Sequence, residues 1–241
     1  KDRVKALLFI HYFGFPQDID FLKYIKEKYH IILMEDCAHS FLSKVNGIPL
    51  GSFGDVSIYS LRKIVPVHNV GILLVKGDSI NELNLEPDMP QTVFKGILYR
   101  MLENIKFRSG IKFRAHNLKK VNKTINVELP EINFINSFPK KGIANINKRI
   151  LNGLNFEEIR SNRRSNFTVL LNWFKNNRRD IQPLFDNLPE GVCPMVFPVI
   201  LKNRNSVSRL MNIDGIDVFP WPFLPKGIDG REDIANYLAK N

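Results

Sequence analysis

Val4-Lys5-Ala6-Leu7-Leu8-Phe9-Ile10, then Pro16, then Ile31-Ile32-Leu33-Met34 is the stretch on which the fold turns. Each apolar run has the length of a buried strand, and the first breaks at His11-Tyr12-Phe13-Gly14, which reads as a loop. Between the runs, Pro16 opens a predicted helix whose apolar face is Ile19, Phe21, Leu22 and Ile25. Asp18 and Asp20 lie near its start and Lys26 and Lys28 near its end, as the helix dipole prefers. Strand, helix and strand within about thirty residues make a right-handed crossover of a parallel sheet, so the predicted class is α/β. Ligands of such sheets sit beyond the carboxyl ends of the strands. His11 to Gly14 and Glu35 to His39 therefore share one rim, where the chemistry is expected.

Outward from this unit, Gly47 to Gly54 is turn-rich, and Val56-Ser57-Ile58-Tyr59-Ser60 and Gly71-Ile72-Leu73-Leu74-Val75 read as two further strands joined by a tight connection. Lys63 lies in that connection. Gln91 to Leu118 reads as helical and basic, Pro130 and Pro139 punctuate a polar linker, and Ile143 to Phe174 is mainly helix, with a long helix starting near Phe156. Val196 to Leu201 and Ile216 to Phe219, separated by a helical Ser206 to Met211, form a predicted small α+β unit. The expected division is 1–139, part of a large domain that includes a basic helical segment at 91–123, and 140–241, an interdomain helix with a small C-terminal domain.

With 44% apolar residues among 241, the chain can bury a substantial core. Its formal charge of +11 favours acidic partners. Most of the excess lies between Lys95 and Lys123, where the only acid is Glu103. A solvated basic helical face explains that run most simply, and a nucleotide diphosphate or an anionic surface is the alternative. No RNA-binding or helix-turn-helix signature accompanies it, so no specific nucleic-acid partner is expected. Cys37 and Cys193 stand far apart in apolar surroundings and read as free thiols in a reducing compartment. No apolar run has the length of a membrane span, and Lys1 to Val4 show no signal-peptide pattern, so cytoplasm is the expected location. A strand signal within four residues of a non-methionine start reads as a fragment of a longer protein.

Glu35-Asp36 ends a buried apolar strand, where a carboxylate demands a cation or a donor. The protonated nitrogen of a pyridine ring is one such partner, because a buried anion keeps the ring cationic and makes it an electron sink. Acids in this position also serve as helix caps or metal ligands; no metal is assigned here. His39, three residues on, lies beside the same ligand or is structural, and Ser60 at a strand end donates to a phosphate or caps a turn. Lys63 stands between Tyr59-Ser60-Leu61-Arg62 and Ile64-Val65-Pro66-Val67, an apolar setting that is unexpected for an idle lysine. A Schiff-base lysine must be partly neutral, and desolvation with Arg62 alongside promotes that.

Three segments in order, Glu35-Asp36-Cys37-Ala38-His39-Ser40, Gly47-Ile48-Pro49-Leu50-Gly51-Ser52-Phe53-Gly54-Asp55 and Tyr59-Ser60-Leu61-Arg62-Lys63, resemble the signature of the DegT/DnrJ/EryC/StrS sugar aminotransferases. His11 to Pro16 is similar to that family's strand-end loop, and Ile159 to Asn166 to its interdomain helix. The resemblance implies a fold-type I architecture and a pyridoxal 5'-phosphate (PLP) cofactor. It implies that Asp36 pairs with the ring nitrogen, His39 stands near the ring, Ser60 binds the cofactor phosphate, and Lys63 is both the Schiff-base lysine and the proton shuttle. It further implies a homodimer with sites at the subunit interface, a nucleotide-linked keto sugar as substrate, and glutamate or a similar amino acid as donor.

Three departures from the pattern stand out. Lys63 follows Ser60 by three residues, where the commoner spacing is longer. Asn69-Val70-Gly71 replaces an acid-Gly-Gly run, and the valine is expected to crowd the cofactor loop or a partner subunit. The family's glycine-containing phosphate cradle has no counterpart here, so these residues are expected to form only part of a PLP site. The alternatives are a sugar dehydratase of the same family, which Lys63 argues against, and a non-catalytic homologue acting as a binding module.

Overall fold

Both apolar runs form strands, β1 at Ala6–Ile10 and β2 at Ile32–Asp36. In this computed structural model residues 4–77, 85–87, 93–96, 98, 102, 141–177, 181–218 and 220–221 are described. β2 runs two residues beyond Met34, because Glu35 and Asp36 pair with Phe9 and Ile10 of β1 on one side and with Ser57 and Ile58 on the other. The helix between them, α1, spans Ile19–Tyr29 and starts later than Pro16. Asp18 sets that start: its side chain accepts the Phe21 backbone N–H at 2.9 Å. The buried face is narrower than the periodicity suggests, with Ile19 and Leu22 buried, Ile25 packed beside them, and Phe21 exposed.

β2 next leads into a hairpin of β3, Lys44–Val45, and β4, Ile48–Pro49. Asn46 and Gly47 turn it with φ of 52° and 79°, the positive pair that a two-residue hairpin turn requires. β5, Val56–Ser60, then pairs parallel with β2, and β6, Gly71–Val75, pairs antiparallel with β5. The sheet order is β1-β2-β5-β6, so it is parallel except at β6.

The pleat sorts side chains by parity. Phe9, Leu33, Glu35, Cys37 and Ser57 fall on one face and are buried, with Phe9, Leu33 and Cys37 clustering against Ile19 and Leu22 of α1. Leu8, Ile32, Asp36, Ile58 and Leu73 fall on the other, where all four apolar members are exposed.

The connection from β5 to β6 is a folded loop rather than a tight turn. A short 3-10 turn at Leu61–Lys63 opens it, and the Leu61 backbone N–H donates to the Val70 carbonyl across its neck. Leu61, Ile64, Val65, Val67 and Val70 bury together in a second apolar cluster. Val70 therefore points into this cluster, where it is accommodated rather than crowding the surface.

Against that cluster pack residues of α2, Asn145–Asn152, and α3, Phe156–Asn177, which starts where the sequence places a long helix. A third cluster joins Phe15, Phe167, Leu171 and Val192, with Phe15 and Phe185 stacked at 3.6 Å between centroids. β7, Glu86–Pro87, pairs parallel with β8, Lys141–Gly142. These elements belong to one compact unit, made of Lys1–Leu98, Lys140–Asn176 and Phe185–Pro198.

A second unit comprises Tyr99–Pro139, Asn177–Leu184 and Val199–Asn241. Within it β9, Ile181–Pro183, pairs antiparallel with β10, Val199–Leu201, and α4 spans Arg204–Ile213. The strand expected at Ile216 to Phe219 is not formed at Ile216 to Val218. Those residues fold back on the end of α4 instead: Ile216 N–H donates to the Met211 carbonyl, and the Asn212 side-chain amide donates to the Val218 carbonyl. Most of the basic segment expected at 91–123 lies outside the described residues.

Candidate active site

The end of β2 places two adjacent carboxylates on opposite faces of the sheet. Glu35 points into the buried face and is 1% exposed. One of its oxygens accepts the Gly51 N–H at 2.8 Å and the His11 Nε2–H at 3.1 Å; the other accepts the N–H groups of Phe53 and Gly54. His11 Nδ1 accepts the Gln17 backbone N–H at 3.0 Å, so its proton sits on Nε2, facing Glu35. Burial pushes the Glu35 carboxyl up, but the hydrogen bonds from His11, Gly54 and Gly51 outweigh it and hold the group below the usual range.

This network is what the Gly47 to Gly54 segment provides. Gly51 has φ of 93°, and a Cβ there would stand 1.8 Å from the Tyr59 hydroxyl oxygen, which itself donates to the Leu50 carbonyl at 2.6 Å. Glu35 and His11 also place donor atoms within 4.8 Å of the Cys37 sulfur. The carboxylate there is already saturated by four donors, and burial pushes the Cys37 thiol up to about 12, so the cluster is built as a hydrogen-bonded joint.

Asp36 differs in every respect. It is half-buried on the other face, and its Oδ1 accepts the Ala38 backbone N–H at 2.9 Å. Three further sequence-derived candidates lie around the same strand ends. Ser60 closes β5, half-buried, and makes no capping hydrogen bond to the turn that follows. His39 is buried after β2, with its Nδ1 accepting the Phe13 N–H at 3.4 Å and its ring stacked on Phe13 at 6.0 Å. Phe13 takes a left-handed φ of 59° to make this contact, and its carbonyl accepts the Met195 N–H at 2.8 Å.

Lys63 ends the 3-10 turn and is half-buried. Burial pushes its ammonium below the ordinary lysine range; Asp36 opposes that shift and Arg62 adds to it. Burial likewise lowers His39, the Lys63 charge lowers it further, and Asp36 acts in the opposite sense. The three groups are thus electrostatically coupled across the ends of the adjacent parallel strands β2 and β5. A carboxylate together with an amine whose charged form is disfavoured by burial suits a cofactor that needs a ring-nitrogen partner and a carbonyl-carbon nucleophile.

Sequence reasoning did not single out the residues that hold the Lys63 loop in place. Asn147 of α2, 2% exposed, accepts the His68 N–H at 3.2 Å and donates to the His68 carbonyl at 2.8 Å. Arg163 of α3 donates to the carbonyls of Ile64 at 3.0 Å, Met195 at 3.0 Å and Pro194 at 3.3 Å. Arg163 lies inside the Ile159 to Asn166 segment noted from sequence, but neither contact has a local signal, since each spans 79 or more positions of chain wherever it meets the loop. A cleft of about 150 Å³ between the start of α1 and β3–β4, lined by Ile19, Lys23, Ile48 and Phe53 among others, contains none of the candidate residues.

Residues 1–82 match the sequence profile of the DegT/DnrJ/EryC1/StrS aminotransferase family. Over 98% of its length the chain is 23% identical to GDP-perosamine synthase of Vibrio cholerae, of which it covers 66%. A shorter stretch, 29% of the chain, is 33% identical to a UDP-N-acetyl-3-dehydro-alpha-D-glucosamine 3-aminotransferase of Acidithiobacillus ferrooxidans and covers 18% of it. The aminotransferase TlmJ from Streptoalloteichus hindustanus shares the fold, with a TM-score of 0.59 at 18% identity, covering all of this chain and 59% of that one. A DegT DnrJ EryC1 StrS aminotransferase from Brucella abortus does so at a TM-score of 0.58 and 15% identity, covering 98% of this chain and 57% of that one. The α/β architecture is thus that of fold-type I aminotransferases. The chain spans under two thirds of the length of each of these relatives.

Proposed function

We propose that this chain, whose residues 1–82 match the DegT/DnrJ/EryC1/StrS aminotransferase family, is part of a PLP-dependent sugar aminotransferase. The reaction is transfer of an amino group from an amino acid such as glutamate to a nucleotide-linked keto sugar. The observation that carries this reading is the coupling of Lys63, lowered by burial, to Asp36 and His39 at the ends of β2 and β5.

Bound PLP supplies an electron sink for the carbanion formed at the amino acid's alpha carbon. Each of this chain's residues then has a defined task. Asp36, at the end of β2, would hold a proton on the ring nitrogen. Lys63, half-buried so that its charged form is disfavoured, would serve as nucleophile toward the cofactor carbonyl and move the proton at the alpha carbon. His39 would line the ring, and Ser60, whose hydroxyl makes no cap to its own turn, would offer a donor to the phosphate. In this reading residues 1–139 are part of the large cofactor-binding domain and 140–241 carry the interdomain helix and small domain. The enzyme works as a cytoplasmic homodimer. No described helix is long and apolar enough to cross a membrane.

The test is spectroscopic and chemical. Full-length protein mixed with PLP should develop the visible absorbance of a lysine-bound cofactor, change it on addition of glutamate, and lose it in Lys63→Ala. With a keto-sugar nucleotide and glutamate the product should be an amino sugar. An unchanged band in Lys63→Ala overturns the assignment of Lys63, and a deoxygenated sugar product overturns amino transfer in favour of dehydration.

A further inference from the structure

The ten residues from Leu61 to Val70 leave β5 and return to β6 with no strand of the described residues beside them, yet Leu61, Ile64, Val65, Val67 and Val70 are buried. Such a loop must satisfy its backbone polar groups internally or from elsewhere, because each one buried without a partner costs about 1–3 kcal/mol. Internal bonds account for some: Ile64 and Val65 N–H donate to the Leu61 carbonyl, Val67 N–H to the Val65 carbonyl, and Leu61 N–H to the Val70 carbonyl. The Ile64 carbonyl and both polar groups of His68 are taken by side chains from the two helices, Arg163 and Asn147. Apolar packing is non-directional and would let the loop slide, whereas these bonds fix it at both ends of its buried stretch.

We infer that Asn147 and Arg163 are positioning residues: together they clamp the 64–70 loop and so hold the Lys63 amine in its half-buried seat near Asp36 and His39. Arg163 does this while also gripping the Pro194 and Met195 carbonyls, and Met195 N–H is in turn bonded to Phe13, the residue stacked on His39. One guanidinium thereby ties the lysine's loop to the histidine's neighbour. What the seat is for rests on the function proposed above; that the clamp sets the seat does not.

The charged groups acting on Lys63 are Asp36 of β2 and Arg62 beside it in the turn, and Lys63 in turn acts on His39 after β2. Releasing the loop lets water reach the amine, which removes the burial that disfavours its charged form. The experiment is competitive acetylation of the full-length protein with trace acetic anhydride over a pH series, read by peptide mass. The titration midpoint of Lys63 is followed against the exposed Lys5 as internal reference.

Asn147→Leu and Arg163→Met should each raise the Lys63 midpoint by about half a pH unit or more, leaving roughly threefold fewer neutral amines at a fixed lower pH. Phe167→Leu, a core change in the cluster around Phe15, should lower the melting temperature without moving that midpoint. A wild-type midpoint in both clamp variants overturns the inference, as does an equal shift in Phe167→Leu. Should Asn147→Leu not fold, Arg163→Lys keeps stem and charge but loses the fork that spans three carbonyls; a raised midpoint supports the clamp and an unchanged one overturns it. Because no cofactor enters the labelling, this result stands apart from the absorbance test of Lys63→Ala.

Discussion

Glu35 and Asp36 are neighbours in sequence and alike in chemistry, yet the structure gives them opposite environments. Glu35 is sealed on the α1 face of the sheet with four donors on its two oxygens. Asp36, one residue on, lies on the opposite face beside Lys63 and His39 with a local backbone donor. The difference teaches that the pleat divides labour: a saturated carboxylate fixes the end of β2, and the next carboxylate, on the opposite face, is the one proposed to meet a ligand.

The comparison breaks most readily by truncation. Glu35→Ala should destabilise the protein by about 3–5 kcal/mol in chemical denaturation, the cost of leaving His11 and three backbone N–H groups buried without their anion. Asp36→Asn should leave stability within about 1 kcal/mol of wild type while lowering kcat by roughly a hundredfold or more, as expected of a charge used in the reaction and not in the fold. If Asp36→Asn destabilises as much as Glu35→Ala, the division of labour fails.

Acidity sharpens the same contrast. The folded-state pKa of Glu35 lies below its ordinary value, so the stability it contributes is present above the ordinary glutamate range and is lost as pH falls through the lowered value. The stabilities of wild type and Glu35→Gln, measured by urea unfolding, should therefore converge as the pH drops through that window; parallel curves would sink the assignment. The smallest effect belongs to the frame around Gly51. Tyr59→Phe removes the bond to the Leu50 carbonyl and should cost about 1 kcal/mol.

Much of the fold was legible in sequence because its cues are local. The runs that became β1 and β2, the acids and bases at the ends of α1, and the Asn46-Gly47 turn all act over a few residues. Where packing or a competing hydrogen bond decided, local reading failed. Phe21 fits the helical period but is exposed, and Ile216-Asp217-Val218 carries strand-forming residues but is held against the end of α4 by Asn212 and Met211. The candidate site divides the same way: Asp36, His39, Ser60 and Lys63 are candidates by position near strand ends and by the family resemblance, whereas nothing local points to the contacts of Asn147 and Arg163.

By itself the sequence determined the α/β class and which residue types stand at the ends of β2 and β5, because strand period and turn chemistry are written in neighbouring residues. Only the tertiary structure decided which of two adjacent carboxylates is sealed, how deeply Lys63 is buried, and which helices hold its loop. Those outcomes depend on sheet register and on hydrogen bonds between residues up to about a hundred positions apart, which no local pattern encodes.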